Sequence, residues 1–89
     1  MRRPVRTNRF KKDVELVRRR GKDLNKLRAV MERLIAEEPL PGRCRDHPLI
    51  GEYVGRRECH IDPDWLLIYK LEGEDIIFER TGTHTDLFR

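Results

Sequence analysis

The chain has 89 residues, 37% hydrophobic and 40% charged, and its 20 Lys/Arg against 16 Asp/Glu leave a formal net charge of +4. That length admits a single domain over residues 1–89, because a second core would leave each unit too short to bury its own surface. Leu, Ile, Val and Phe number 24, about 27%, above the roughly 20% below which chains stay disordered; the longest apolar run, Trp65–Tyr69, is too short to cross a membrane, and no apolar stretch follows Met1-Arg2-Arg3-Pro4 to make a secretory signal.

Pro4–Arg6 has room only for an edge strand. Thr7 or Asn8 then caps a first helix, since a short side-chain oxygen accepts an orphan backbone N–H. Phe10, Val14 and Val17 recur at helical spacing, with Lys11, Lys12, Arg18 and Arg19 largely on the remaining surface. Gly21 ends this helix and Asp23 caps the next. Its stripe of Leu24, Leu27, Val30, Met31, Leu34 and Ile35 is the strongest periodic signal in the chain. A connection this short predicts an antiparallel helical hairpin. Glu37–Gly42, with two prolines, stops the second helix, and the chain reads as a long irregular loop to about Gly51.

Beyond Glu52 the pattern changes. Tyr53–Ile61, Trp65–Leu71 and Ile76–Thr81 are rich in aromatic and β-branched residues, with turn residues at Asp62–Asp64 and Glu72–Asp75. The expected fold is α+β: an N-terminal helical hairpin packed on one face of a small, mainly antiparallel sheet, the other face open and Leu87 and Phe88 tucked onto the sheet. Register decides which residues share that open face. A three-residue first turn pairs Cys59 with Leu67; a four-residue turn pairs His60 with Leu67. With Leu67 opposite Arg80, only the longer turn, or a bulge, brings His60 and Arg80 to one face. Ile61, Leu66, Ile68 and Ile77 would then meet the helix stripe of Leu27, Met31 and Leu34.

Charge is split along the chain. Residues 1–45 hold 15 Lys/Arg and 6 Asp/Glu, while residues 46–89 hold 5 and 10. So basic a half is a footprint for phosphate, or simply two solvated helix faces. On the first reading Lys11, Lys12, Arg18, Arg19, Arg20 and Lys22 are exposed, unpaired docking residues. His47, His60 and His84 all lie in the acidic half, near Asp64, Trp65 and Arg80. Two imidazoles supply a base and an acid near neutral pH, an arginine steadies a phosphorane, and Trp65 and Phe88 offer stacking surfaces. These are the parts of a metal-free ribonuclease. Each also has a structural reading, with Arg80 a partner for Glu79 or Asp86. A zinc site of the three histidines with Cys44 or Cys59 lacks the usual close ligand pairs, and the two cysteines read as reduced thiols.

Taken together, Asp46-His47-Pro48-Leu49, Pro63-Asp64-Trp65-Leu66-Leu67-Ile68-Tyr69-Lys70 and Glu79-Arg80-Thr81-Gly82-Thr83-His84 resemble the YafQ branch of the RelE toxin superfamily, as does Lys22–Leu27. The resemblance covers nearly the whole chain; ParE-type gyrase poisons share the fold but generally lack this histidine set. It implies a ribosome-dependent endoribonuclease, free of metal and cofactor, that cuts messenger RNA in the 30S A site in the cytoplasm. It also implies a cognate antitoxin of the ribbon-helix-helix type, through which alone operator DNA is bound. Carried over, the site is His47, His60, Asp64, Trp65, Arg80, His84 and Phe88. His84 is the expected general acid, His60 or Asp64 the base and Arg80 the phosphate clamp. His47 orients substrate or shares the acid–base work, and Trp65 with Phe88 walls the pocket. The alternatives are a non-catalytic nucleic-acid-binding module, or an inactive toxin acting as an antitoxin-bound co-repressor.

Overall fold

Two side-chain oxygens place the helices. In the computed structural model, which describes residues 1–88, Thr7 Oγ1 accepts the Phe10 N–H and starts α1, Asn8–Arg19. Asp23 accepts the Asn25 N–H and starts α2, Leu24–Ile35. Each cap satisfies a first-turn donor that has no partner within its helix. Gly21, at φ +83°, makes the left-handed step between them. Phe10, Val17, Leu27, Val30 and Leu34 are buried in one core, as their spacing predicts.

The sheet has five strands in the order β1-β5-β4-β3-β2. They are β1 (Arg3–Arg6), β2 (His47–Pro48), β3 (Arg57–Asp62), β4 (Trp65–Glu72) and β5 (Asp75–Gly82), followed by α3, His84–Phe88. β1 is the expected edge strand and runs parallel to β5, so the sheet is mixed. Three details differ from the sequence reading. The long loop contributes β2, which pairs antiparallel with β3. Tyr53–Arg56 is not strand; a 3-10 turn spans Gly51–Tyr53, and Gly55 turns the chain at φ +88°. Both hairpin turns have two residues, Pro63-Asp64 and Gly73-Glu74, because Asp62 pairs with Trp65 and Glu72 with Asp75.

Two bulges set the register. Ile61 is the extra residue in β3, between the pairs His60–Leu66 and Asp62–Trp65. Glu79 is the extra residue in β5, between Phe78–Tyr69 and Arg80–Ile68. Each bulge reverses the alternation of the residues beyond it. His60 and Arg80 do share a face, but through the Glu79 bulge and not through a longer first turn. The side that meets the helices also changes. Cys59, Trp65, Leu67, Tyr69, Ile76 and Phe78 fill the helix-side core; of the four residues expected there, only Ile61 packs against it. Leu66 and Ile68 lie on the second face instead, buried under Leu87 with Leu49 and Tyr53 alongside. That face is therefore half-covered by α3. Leu87 tucks in as expected, while Phe88 stays 42% exposed.

Candidate functional site

Cross-strand pairing lays out the second face in two rows. One runs His47–Glu58–Ile68–Arg80 and the next His60–Leu66–Gly82. His60 and Arg80 are thus two strands and one row apart, roughly 12 Å between backbones.

The chain leaves β5 at Gly82, where a Cβ would come within 2.9 Å of Asp86 Oδ2 and 3.0 Å of its Cβ. Only glycine lets Asp86 sit this close. Thr83 N donates to Asp86 Oδ2 at 2.9 Å, and Asp86 N donates to Thr83 Oγ1 at 3.1 Å. This reciprocal capping box starts α3 and fixes its first residue, His84. Arg20 donates to both Asp86 oxygens, at 2.7 and 3.3 Å, and ties α3 to the end of α1. The Arg20 bond, reinforced by the Thr83 N–H, holds the Asp86 carboxyl down to about 2. With the folded value below the ordinary 3.8, its stabilisation is complete above pH ~4 and fades as pH falls toward 2. Asp86→Asn is expected to lower the urea midpoint at pH 7, with the gap to wild type closing near pH 2.

Asp64, in the β3–β4 turn, reaches across to the same corner. Its Oδ1 accepts the His84 N–H at 3.1 Å and His84 Nδ1–H at 2.7 Å. A carboxylate can only accept, so Nδ1 carries the proton and Nε2 is left for a substrate. These bonds hold the Asp64 carboxyl below its usual range. The His60 ring lies 5.9 Å from that of His84, inclined at 48°. His60 Nδ1 is buried without a hydrogen-bond partner among the described residues. Such a group costs about 1–3 kcal/mol, which marks a ring kept for something other than stability. Phe88 lies 6.3 Å from His84, and Tyr53 meets it edge-on at 5.4 Å. Tyr53 Oη in turn donates to Leu87 O at 3.3 Å.

Arg80 is held from the opposite side. β1 pairs with β5 only as far as Phe78, so the outer edge of β5 is unpaired beyond it. α1 fills the gap: Thr7 Oγ1 donates to Glu79 O at 3.0 Å, and Asp13 Oδ2 accepts the Thr81 N–H at 3.2 Å. The same Asp13 carboxylate takes Arg80 Nε at 2.7 Å and Nη2 at 3.2 Å. Both side chains are nearly nine-tenths buried, at 13% and 12% exposure. Asp13, and neither Glu79 nor Asp86, is therefore the partner of Arg80; Glu79 takes Arg56 and Asp86 takes Arg20. Asp13→Ala strands a largely buried guanidinium and an edge N–H, and about 2–3 kcal/mol of stability should disappear in chemical unfolding.

The other expected site residues are placed as follows. His47 Nε2 lies 3.0 Å from Glu58 Oε2, a buried carboxylate two residues before His60 on the same strand face. Glu58 was legible in principle, since i and i−2 share a face in a strand; Asp13 and Tyr53 carried no local signal. Trp65 does not wall the pocket. It is 1% exposed in the helix-side core, where its indole N–H donates to Thr81 Oγ1 at 2.9 Å and Thr81 Oγ1 to Leu66 O at 2.7 Å. Its role is to lock β4 to β5 below the site. The zinc arrangement fails on placement: Cys44 and Cys59 are free thiols buried on the helix side, and His60 faces away from them. Among the described residues no three His, Cys, Asp or Glu side chains gather as metal ligands.

The docking set is only partly as expected. Lys11 and Lys12 are exposed, Arg18 and Arg19 are exposed but pair with Glu15 on their own helix, and Lys22 is half-buried. Arg20 is engaged by Asp86 and drops out as an unpaired cation.

Comparison with known proteins gives concordant matches. A family model described as "Bacterial toxin of type II toxin-antitoxin system, YafQ" matches residues 2–89. The mRNA interferase toxin YafQ of Escherichia coli is 51% identical over 80 residues, covering 89% of this chain and 87% of that protein. The crystal structure of YafQ from E. coli superposes with a TM-score of 0.95 at 46% identity, over 100% of both chains. The YafQ chain of the E. coli DinJ–YafQ complex gives 0.93 at 47%, again over 100% of both. A metal-bound toxin from Helicobacter pylori gives 0.92 at 36% identity, covering 99% of this chain and 100% of that one.

Proposed function

The chain belongs to the YafQ family of toxins from bacterial type II toxin–antitoxin systems, and from that premise we propose that it is an mRNA interferase, an endoribonuclease that cuts messages in the ribosomal A site without a metal. One observation carries the reading beyond the family: two imidazoles face each other 5.9 Å apart on one sheet face, one of them oriented by a carboxylate. Asp64 is occupied in orienting His84, which leaves the base role to His60. In this scheme His60 takes the proton of the 2′-OH, and the 2′-oxygen attacks phosphorus. His84 gives a proton to the departing 5′-oxygen, so the products are a 2′,3′-cyclic phosphate and a 5′-hydroxyl. Arg80 stabilises the crowded phosphorus through Nη1, the nitrogen that Asp13 does not take. Phe88 stacks on a base, and His47 with Glu58 flanks the strand.

The ribosome supplies the alignment that so small a site cannot, turning positioning into an external contribution. Lys11 and Lys12, with Arg18, Arg19 and Lys22 beside them, supply weak contacts to ribosomal RNA. The whole chain acts as one toxin domain in the cytoplasm, where ribosomes are; no described helix is long and apolar enough to cross a membrane. The DinJ–YafQ complex of E. coli supports a cognate antitoxin for this chain too; in this reading the antitoxin is of the ribbon-helix-helix type and carries the operator-binding function for both.

Mapping message ends on translating ribosomes tests the reading. Discrete cuts within the A-site codon are expected with wild type, and they should persist in a chelator titrated to spare the ribosomes. Intact messages in growth-arrested cells would overturn it.

A further inference from the structure

Between α2 and β2 the chain makes a 3-10 turn, Gly42–Cys44, and successive side chains meet different fates. Cys44 is buried in the core. Asp46 accepts from Tyr69 Oη at 2.6 Å and from Arg57 Nε at 3.2 Å. These two anchors leave Arg43 and Arg45 exposed, with no carboxylate at salt-bridge distance among the described residues. Arg45 sits at φ +46°, a left-handed conformation that costs an L-residue roughly 1–2 kcal/mol. Gly or Asn would take that position more readily, so loop stability does not explain a guanidinium there.

Both arginines line a hollow of about 340 Å³ whose remaining walls are His60, Ile61, Asp62 and Pro63. It shares Arg43, Ile61 and Asp62 with a second hollow of about 350 Å³ against α2, where Lys26 and Arg33 stand. Asp62, the acidic group in this lining, is neutralised by Lys26 Nζ at 3.1 Å. Asp64, just beyond, is engaged by His84. The result is an uncompensated positive groove that ends on the histidine assigned as base.

We propose that this groove holds the sugar–phosphate backbone of the RNA strand adjoining the cut bond, with Arg43 and Arg45 each gripping one phosphate. The proposal rests on the ribonuclease reading. Guanidinium suits the task because its planar fork meets a phosphate with two parallel donors. Past the bulge at Ile61 the hairpin end, Asp62 and Pro63, continues the groove from His60. A single strand laid along Arg43 and Arg45 would thus be delivered to the imidazole pair.

The test titrates a 2′-O-methyl RNA dodecamer, which cannot be cut, against wild type and Arg43→Gln/Arg45→Gln over a range of salt. The double variant is expected to bind about tenfold more weakly at low salt, and its log–log salt slope to fall by about 1.4, two phosphate contacts at about 0.7 each. Both positions are exposed, so its unfolding midpoint should match wild type. Equal affinity and slope in the two proteins, or no binding by wild type at low salt, would overturn the proposal. So would an acidic peptide that outcompetes the RNA for these arginines, since the groove would then be a protein-docking site. Message cutting by wild type on ribosomes is scored separately. A wild type that cuts while the variant binds RNA normally removes the groove alone; a wild type that never cuts removes the ribonuclease reading.

Discussion

His84→Ala should lower the single-turnover rate of cleavage on the ribosome by about 10²–10⁴-fold, the contribution of one well-placed general acid. Nothing else at the site replaces it. His60 is the partner across 5.9 Å, and His47 is engaged one row away by Glu58. The loss should be chemical and not structural. The His84 ring is half-exposed and among the described residues its one side-chain bond goes to Asp64, itself exposed, whereas the backbone bond from His84 N to Asp64 survives the substitution. The unfolding midpoint should therefore stay near that of wild type, and ribosome binding with it. Asp64→Ala is the companion variant. It frees the ring to rotate and to exchange tautomers, so a smaller loss in the same single-turnover rate is expected. A His84→Ala protein that cuts as fast as wild type would remove His84 from the chemistry.

The helices were legible because their signals are local. Thr7 and Asp23 are short oxygens just ahead of apolar periodicity, and the residues predicted to face inward are buried in the core or packed, partly buried, against it. The faces of the sheet were not legible in the same way. Two single-residue bulges, at Ile61 and Glu79, decide them, and neither residue differs in type from one in regular strand. β4 adds to the ambiguity. Trp65 to Tyr69 are all buried because helices cover one face and α3 the other, so the sequence there reads as a continuous apolar run with no preferred side. β2, with two residues and a proline, has no period to detect.

For the candidate site, residue types and motif order picked out side chains that the fold brings together at one corner, His60, Asp64, His84 and Phe88. Pairing partners did not follow from them. Arg80 meets Asp13 across 67 positions of sequence and Arg20 meets Asp86 across 66. Such pairs follow from where β1 stops and where α1 and α3 begin, which is tertiary information. Trp65 illustrates the converse. An aromatic beside Asp64 invites a stacking role, yet strand alternation turns it to the face opposite His60. The arginines of the 42–46 turn escaped notice because charge alone does not distinguish them from the other exposed cations of the basic half.

A message carrying one 2′-deoxynucleotide on the 5′ side of the cut bond, placed in the A site of a programmed ribosome, tests the central claim most directly. An attack by the 2′-oxygen cannot begin without that hydroxyl, whatever else the site provides. General-base and in-line positioning contributions then have nothing to act on, and losing the intramolecular nucleophile alone forfeits an effective molarity of about 10⁵–10⁸ M. Cleavage at the substituted position is expected to become undetectable, while the all-ribose message is cut to a 2′,3′-cyclic phosphate by the same enzyme on the same ribosomes. A deoxy-substituted message cut at a rate comparable to the ribose one, leaving a 3′-hydroxyl or an open 3′-phosphate, would contradict the account.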